Sequence, residues 1–243
     1  MTLPGLVAAN NLSDVADKER AWDNLGVQFD ASFETAPLAL GIGTPTGGGY
    51  FAGYISHTAN GIPTHALIVA PRATGATGTG YSITSNRAWS PSYATTAGLG
   101  SLFDGAANTA AMAAHNINLY PAAQFCTTLS IGGYTDWYLP SLYELDIAYY
   151  NLKPSTTANS TSSGANPYSV PRRDSNNSAS VPARTLYSPF NGAESFTENI
   201  HWTSSEFSSI FAWNINFANG SRGSTSQYKE DQRAVRAFRR IAL

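Results

Sequence analysis

Charge is scarce in this chain. Lysine, arginine, aspartate and glutamate make up 12% of its 243 residues, roughly half of the ~25% usual in globular proteins. The formal net charge is −2, so no electrostatic footprint for nucleic acid or an anionic lipid surface is expected. Cysteine is nearly absent. Cys126 stands alone, which excludes an intrachain disulfide. His57, His65, His115 and His201 are scattered and, with a single thiol, show no zinc-type ligand spacing. Neither a metal nor a cofactor is expected. No apolar run approaches the ~20 residues that span a bilayer, so no membrane insertion is expected. The opening "MTLPGLVAANN" lacks a basic n-region and a long apolar h-region, so no signal peptide is expected.

Glycine, serine, threonine, asparagine, alanine and tyrosine fill the gap left by charge. Such a surface is solvated by hydroxyls and amides, as in many β-rich extracellular or virion proteins. The length is enough for a sizeable core and suits one β-rich domain, or one domain with an appendage. Outside cells, a protein without disulfides would rely on packing or oligomerisation. A virion protein made in the cytoplasm fits that combination.

Charge concentrates early. "NNLSDVADKERAWDNLGV" (residues 10–27) reads as a helix, capped by Ser13 or Asp14 and stopped by Gly26. Its apolar stripe needs a partner, either the rest of the chain or copies of itself around an axis. "YFAGYI" (Tyr50–Ile55) and "THALIVAP" (Thr64–Pro71) read as two joined strands, "RATGATGTG" as a loop, and Tyr81–Trp89 as a further strand. Residues 105–130 read as helix in two pieces, broken near Asn116–Pro121, with Pro121 in the first turn of the second. Pro140–Leu152 is the strongest helix, with Pro140 at its first position, Glu144 in its early turns and Leu142, Leu145 and Tyr149 as its stripe. Residues 154–193 are rich in Ser, Thr, Asn and Pro, and a loop of that length is often functional.

The stretch "WTSSEFSSIFAWNINFANGSRG" (Trp202–Gly223) combines aromatic residues with Ser, Thr and Asn. Phe211, Trp213, Ile215 and Phe217 alternate with Ala212, Asn214, Asn216 and Ala218, which predicts a half-buried strand with the asparagines facing out. Asn219-Gly220 then signals a hairpin turn. The preceding "TSSEFSSI" reads either as turn-capping polar residues or as a contact surface, with adaptable polar groups around aromatic anchors.

An ordered set of motifs carries a family resemblance. "GGYTDWYLPSLYEL" (Gly132–Leu145) is followed by "HWTSSE", "AWNINFANG" and "VRAFRR", with "SLFDGAANTAAMAAH" and "YPAAQFC" upstream. Over residues 50–243 this order resembles the DUF1566 (Lcl C-terminal-like) family. The resemblance implies an α+β fold of the C-type-lectin/formylglycine-generating-enzyme type: two helices packed on small twisted antiparallel sheets, with long loops. That wider fold includes phage tropism determinants that touch the receptor through their C-terminal segment. Residues 10–27 resemble a short motif of phage tail fibres that sits at junctions between fibre segments, often in trimers.

The two resemblances imply one organisation. Residues 1–33 are an attachment and oligomerisation segment, through Leu12, Val15, Trp22 and Leu25, and residues 34–243 are a receptor-binding domain. The expected protein is a homotrimeric tail-fibre or tail-tip adhesin of a virion, with other tail proteins and a host cell-surface glycan or protein as partners. The expected contact residues are Glu206, Phe207, Ser208, Ser209, Ile210, Asn214, Asn216, Ser221, Arg222, Ser224, Ser226 and Tyr228. A bacterial surface or secreted adhesin of the same fold is the alternative, disfavoured by the lack of a signal peptide. An enzyme degrading surface polysaccharide is a third.

Catalysis finds little support in the residues. Formylglycine-type chemistry needs a cysteine pair, and Cys126 reads as a small buried hydrophobe. Glycan cleavage needs two carboxylates across a cleft. Asp136 reads as a turn cap and Glu144 as a partner of backbone donors at a helix start. The Glu-Pro-Asn and Trp-Asn-Asp motifs of calcium-dependent lectins are absent. Arg233, Arg236, Arg239 and Arg240 read as internal ion-pair partners, with an acidic glycan as the other possibility.

Overall fold

The two apolar runs at Tyr50–Ile55 and Thr64–Pro71 form the joined pair expected of them. The computed structural model describes residues 40–77 and 86–243, and the compact unit that carries the fold is Gly41–Leu243. The expected helix at 10–27, with Leu12, Val15, Trp22 and Leu25, and most of the expected strand at Tyr81–Trp89 lie outside the described residues. In the described end of that strand, Arg87 makes a single bridge to Arg233.

One antiparallel sheet runs β1 (Pro45–Thr46), β2 (Gly49–Ile55), β3 (His65–Val69) and β8 (Phe238–Ala242), in that order. A short strand, β4 (Ser169–Val170), pairs with the far end of β2, opposite Tyr54 and Ile55. A second antiparallel sheet has the order β5 (Ile200–Glu206), β6 (Ala212–Asn216) and β7 (Arg222–Gly223). With few helices beside these sheets, the fold is α+β. Arg72–Gly75, expected as loop, forms a one-turn helix, α1.

The split of residues 105–130 is present: α2 spans Gly105–Asn116, a 3-10 turn Ile117–Leu119, and α3 Pro121–Thr127 with Pro121 in its first turn. Asp104 caps α2 by accepting from the Ala107 N–H at 2.8 Å. The strongest helix, α4, is Leu142–Leu152. Pro140 lies outside it rather than at its first position, because Ser141 is the cap. Leu142, Leu145 and Tyr149 are buried as expected, but so are Glu144, Asp146, Ile147 and Ala148. The helix is covered almost all round because both sheets pack on it. Its residues share one core with Ala52, Ile55, Leu67, Val69, Ile215, Phe217 and Phe238.

Two glycines let that packing close. Gly53 (φ 140°) sits at a bulge in β2, and a Cβ there would lie 2.6 Å from Ile147 of α4. The approach lets Asn151 donate to the Ala52 carbonyl at 2.8 Å. Gly220 (φ 71°) closes the turn after β6, where a Cβ would fall 2.2 Å from the Tyr149 ring. The hairpin signal of Asn219-Gly220 is therefore met, and the Gly220 N–H donates to Asn216 at 2.7 Å.

The long segment 154–193 has little regular structure but is tied internally. Lys153, buried at the end of α4, donates from Nζ to Thr157 O (2.6 Å), Asn159 Oδ1 (2.7 Å) and Pro182 O (3.4 Å). Asn159 in turn donates to Ser178 O and Pro182 O and accepts from the Tyr149 hydroxyl at 2.6 Å. Asn166 donates to Asp146 and Tyr143 O and accepts from the Tyr168 and Ser169 N–H groups. The amide-rich composition that reads as loop is spent here on satisfying the loop's own backbone.

Candidate functional site

The turn between β5 and β6 carries two exposed apolar residues, Phe207 and Ile210. Phe207 and Ser208 N–H groups both donate to Phe211 O, and the Ser208 hydroxyl accepts from the Ile210 and Phe211 N–H groups. Ser208 is thus a turn cap. With the backbone closed in this way, Phe207 (44% exposed) and Ile210 (36%) project outward, with Ser209 exposed between them. Phe207 packs edge-on against Trp213 at 5.2 Å. Phe211 bridges to Tyr228 and stacks on it at 5.1 Å. Tyr228 (49% exposed) lies 6.4 Å from Tyr93 (46% exposed). The pair Phe207–Trp213 and the row Phe211–Tyr228–Tyr93, with Phe211 and Trp213 two residues apart in the chain, make up an aromatic ridge in two parts, with Ile210 on its turn. Exposed apolar surface of this kind marks interaction sites in soluble proteins.

A buried ion pair holds the ridge from beneath. Lys229 is fully buried and its Nζ meets Glu206 Oε1 at 2.5 Å. It also donates to Ala94 O at 2.8 Å and lies 4.8 Å above the Trp89 ring. Burial pushes the Lys229 ammonium down, and Glu206 opposes that shift. The Glu206 carboxylate also accepts from the Thr96 N–H. Segment 89–96, which carries Tyr93, is thereby fixed to both β5 and the segment after β7. A hydrogen bond to Glu230 pushes the Tyr93 phenol up to about 12.

Several expected contact residues have other roles. Asn214 was expected to face out, yet it is 2% exposed. β7 and the arm that follows it cover it: Gly223 pairs with Asn214 across the sheet, and a Cβ on Gly223 would lie 2.5 Å from the Asn214 Oδ1 and 3.0 Å from the Ser226 Oγ. Asn216 is half-buried and accepts from the Ala218 N–H, fixing the turn. Ser221 serves the same turn through its N–H to Asn219 and its carbonyl to Asn216. Glu206 is the ridge's internal anchor. Arg222 is tied down as well: its Nη2 lies 2.7 Å from Asp146, Nη1 donates to Ala165 O, and the guanidinium sits 5.3 Å over Tyr143. Phe211, expected as framework, is only half-buried. Ser224 and Ser226 lie in the covering arm, and Ser226 is exposed. Tyr93 was missed, although a lone aromatic in the polar run "SPSYATTAG" is a signal for it.

The carboxylates of the catalytic alternative are each occupied internally. Asp136, expected as a turn cap, instead takes both Nε and Nη2 of Arg239 at 2.8 and 2.9 Å, which holds its carboxyl below the usual range. Glu144 Oε2 accepts from the Gly105 and Ser141 N–H groups and the Ser141 hydroxyl, and Oε1 from the Tyr138 hydroxyl. Asp146 is 1% exposed between Arg173 and Arg222. Arg233, Arg236, Arg239 and Arg240 pair with Asp231, Glu194, Asp136 and Asp104 respectively. These partners lie in loops and at a helix cap rather than on helix flanks. Cys126 is buried in α3, and burial pushes its thiol up. Among the described residues, no group of three or more His, Cys, Asp or Glu side chains is placed to hold a metal ion. Nor is any helix among them long and apolar enough to cross a membrane. A scan against protein-family models gives no match, and a search of curated proteins gives none.

Proposed function

We propose that this chain is a receptor-binding protein of a phage tail fibre or tail tip. Residues 34–243 would be a C-type-lectin-like domain related to the DUF1566 family, and the aromatic ridge its contact face for a host-surface glycan or protein. The observation that carries this reading is the ridge itself, exposed aromatics held on an internally braced turn. Rigid aromatic anchors beside small polar side chains give large contact area at little entropic cost. The ordered motifs between Gly132 and Arg240 support the family assignment. The tail-fibre-like motif at residues 10–27 supports attachment through residues 1–33, assembly as a homotrimer and placement in the virion beside other tail proteins. A single ridge of this size binds weakly, and several copies on one particle raise avidity.

Adsorption to host cells tests the reading. Tyr228→Ala, Phe207→Ala and Tyr93→Ala should each weaken binding of the isolated chain about tenfold or more, as for central interface aromatics, while thermal stability holds. Asn214→Ala should do the opposite, lowering stability with no direct effect on binding. Unchanged adsorption in all three aromatic variants would sink the assignment of this face. Shortening of host capsule or lipopolysaccharide on incubation would favour an enzyme. The mass of the purified assembly in solution checks the trimer.

A further inference from the structure

Away from the ridge, a trough runs along the exposed side of α4. Three adjoining concavities share Tyr150, and the two larger ones measure about 350 and 360 Å³, within the ~300–1,000 Å³ of small-ligand sites. One end is polar, lined by Arg173, Asp174, Asn176, Asn177 and Ser178. The other is rimmed by Leu186 and Tyr187, 86% and 52% exposed. The trough lies between α4 and segment 170–187, and nothing in the ridge reading uses it.

Among its charged lining residues, Arg173 and Arg184 outnumber Asp174. Asp146 is the one carboxylate shared by two guanidinium groups, those of Arg173 and Arg222. The nearby Asp174 is taken by Arg172 at 2.5 Å. Two buried donors at the polar end have no acceptor: Arg173 Nη1 and Asn177 Nδ2. Asn177 is 8% exposed. A buried donor without an acceptor is destabilising, more so when charged, and an acceptor seated here would remove that cost. Arg173 is held in place by Asp146, by its hydrogen bond to Ser169 Oγ and by the Tyr150 ring 4.3 Å below it.

We infer that this trough binds an acidic saccharide, its carboxylate seated at Arg173 and Asn177 and its following rings lying along Tyr150 towards Tyr187. An anion neutralises the unmatched guanidinium charge and supplies the missing acceptor, directly or through an ordered water, since both donors lie just below the surface. Hydroxyls and amides along the polar wall suit a sugar better than an apolar ligand, and the length past Tyr150 suits a chain of several rings.

Calorimetric titration of the whole chain with trigalacturonate, and with its uncharged methyl ester, tests this. The acid should bind, and the ester at least tenfold more weakly. Asn177→Asp replaces a donor with a like charge and should weaken the acid at least tenfold. Where that variant does not fold, Val181→Glu on the half-exposed rim should have the same effect. Tyr228→Ala should leave this binding unchanged, which separates it from the ridge. No binding of the acid, equal binding of acid and ester, or unchanged binding in a folded Asn177→Asp chain would overturn the inference.

Discussion

Asp146→Asn should lower the stability of the domain by about 3–5 kcal/mol, the range for breaking a buried ion pair. The substitution is nearly isosteric, so no cavity accompanies the loss of charge. It leaves Arg173 and Arg222, whose side chains are 14% and 13% exposed, as buried cations with no counter-ion. It also changes the acceptor of Asn166 Nδ2, which orders segment 166–169. For a domain of this size the loss corresponds to a fall in Tm of about 10 °C. Adding Arg222→Met to Asp146→Asn should recover part of it, because one unpaired charge is then gone. Thermal denaturation of the single and double variants checks both, and a single variant within about 1 kcal/mol of the parent would show that the Asp146 carboxylate does not brace Arg173 and Arg222.

Glu144 carries the second large effect, and the outcome depends on which residue replaces it. Its carboxyl ties the start of α2 to the start of α4, accepting from Gly105 N–H at 3.0 Å and Ser141 N–H at 2.8 Å. Burial pushes it up to about 7 from an ordinary 4.5, against the opposing pull of the Ser141 and Tyr138 hydrogen bonds. When protonated, Oε1–H donates to the Tyr138 hydroxyl oxygen while Oε2 keeps its three donors. The folded chain thus holds this proton more tightly than the unfolded one. The stability it confers is full below about pH 4.5 and is lost as pH rises through about 7. Glu144→Gln places an N–H where the acid has its O–H, so it should keep most of the stability and flatten the pH dependence over that window. Glu144→Ala strands buried donors and opens a cavity, at a cost of about 4 kcal/mol. Denaturant midpoints between pH 4 and 8 distinguish the two, and equal damage from Gln and Ala would overturn this account.

The local signals in the sequence were good guides where local chemistry decides the structure. Glu144 marks the early turns of α4, though the cap is Ser141 and Pro140 lies outside the helix; Pro121 divides α2 from α3, and Asn219-Gly220 closes its turn, each within a few residues of its cause. The face of β6 was not legible in the same way. Alternation shows which residues share a side of a strand but not what lies over that side. β7, with Gly223, and the arm carrying Ser226 cover Asn214, so a residue read as outward is buried. Arg222 looked free because its partner, Asp146, lies 76 positions away. Glu206 looked free for a similar reason, with Lys229 arriving from beyond β7. The trough was invisible because segment 154–193 has no periodicity, and its order comes from long-range amide bonds rather than from pattern.

Lys153 has a consequence for how the long segment comes apart. Its ammonium gathers carbonyls from both flanks of the loop, Thr157 and Pro182, at the end of α4. Releasing the loop breaks both of these hydrogen bonds and the one to Asn159 together. Opening of the loop therefore costs more than the fraying of an untied loop of the same length. A protease needs an extended stretch of chain to cut, and the segment 154–193, rich in Ser, Thr, Asn and Pro, has the length to offer one. Here the ties to Lys153 hold the loop against the end of α4, so digestion within it should be slower than its composition suggests.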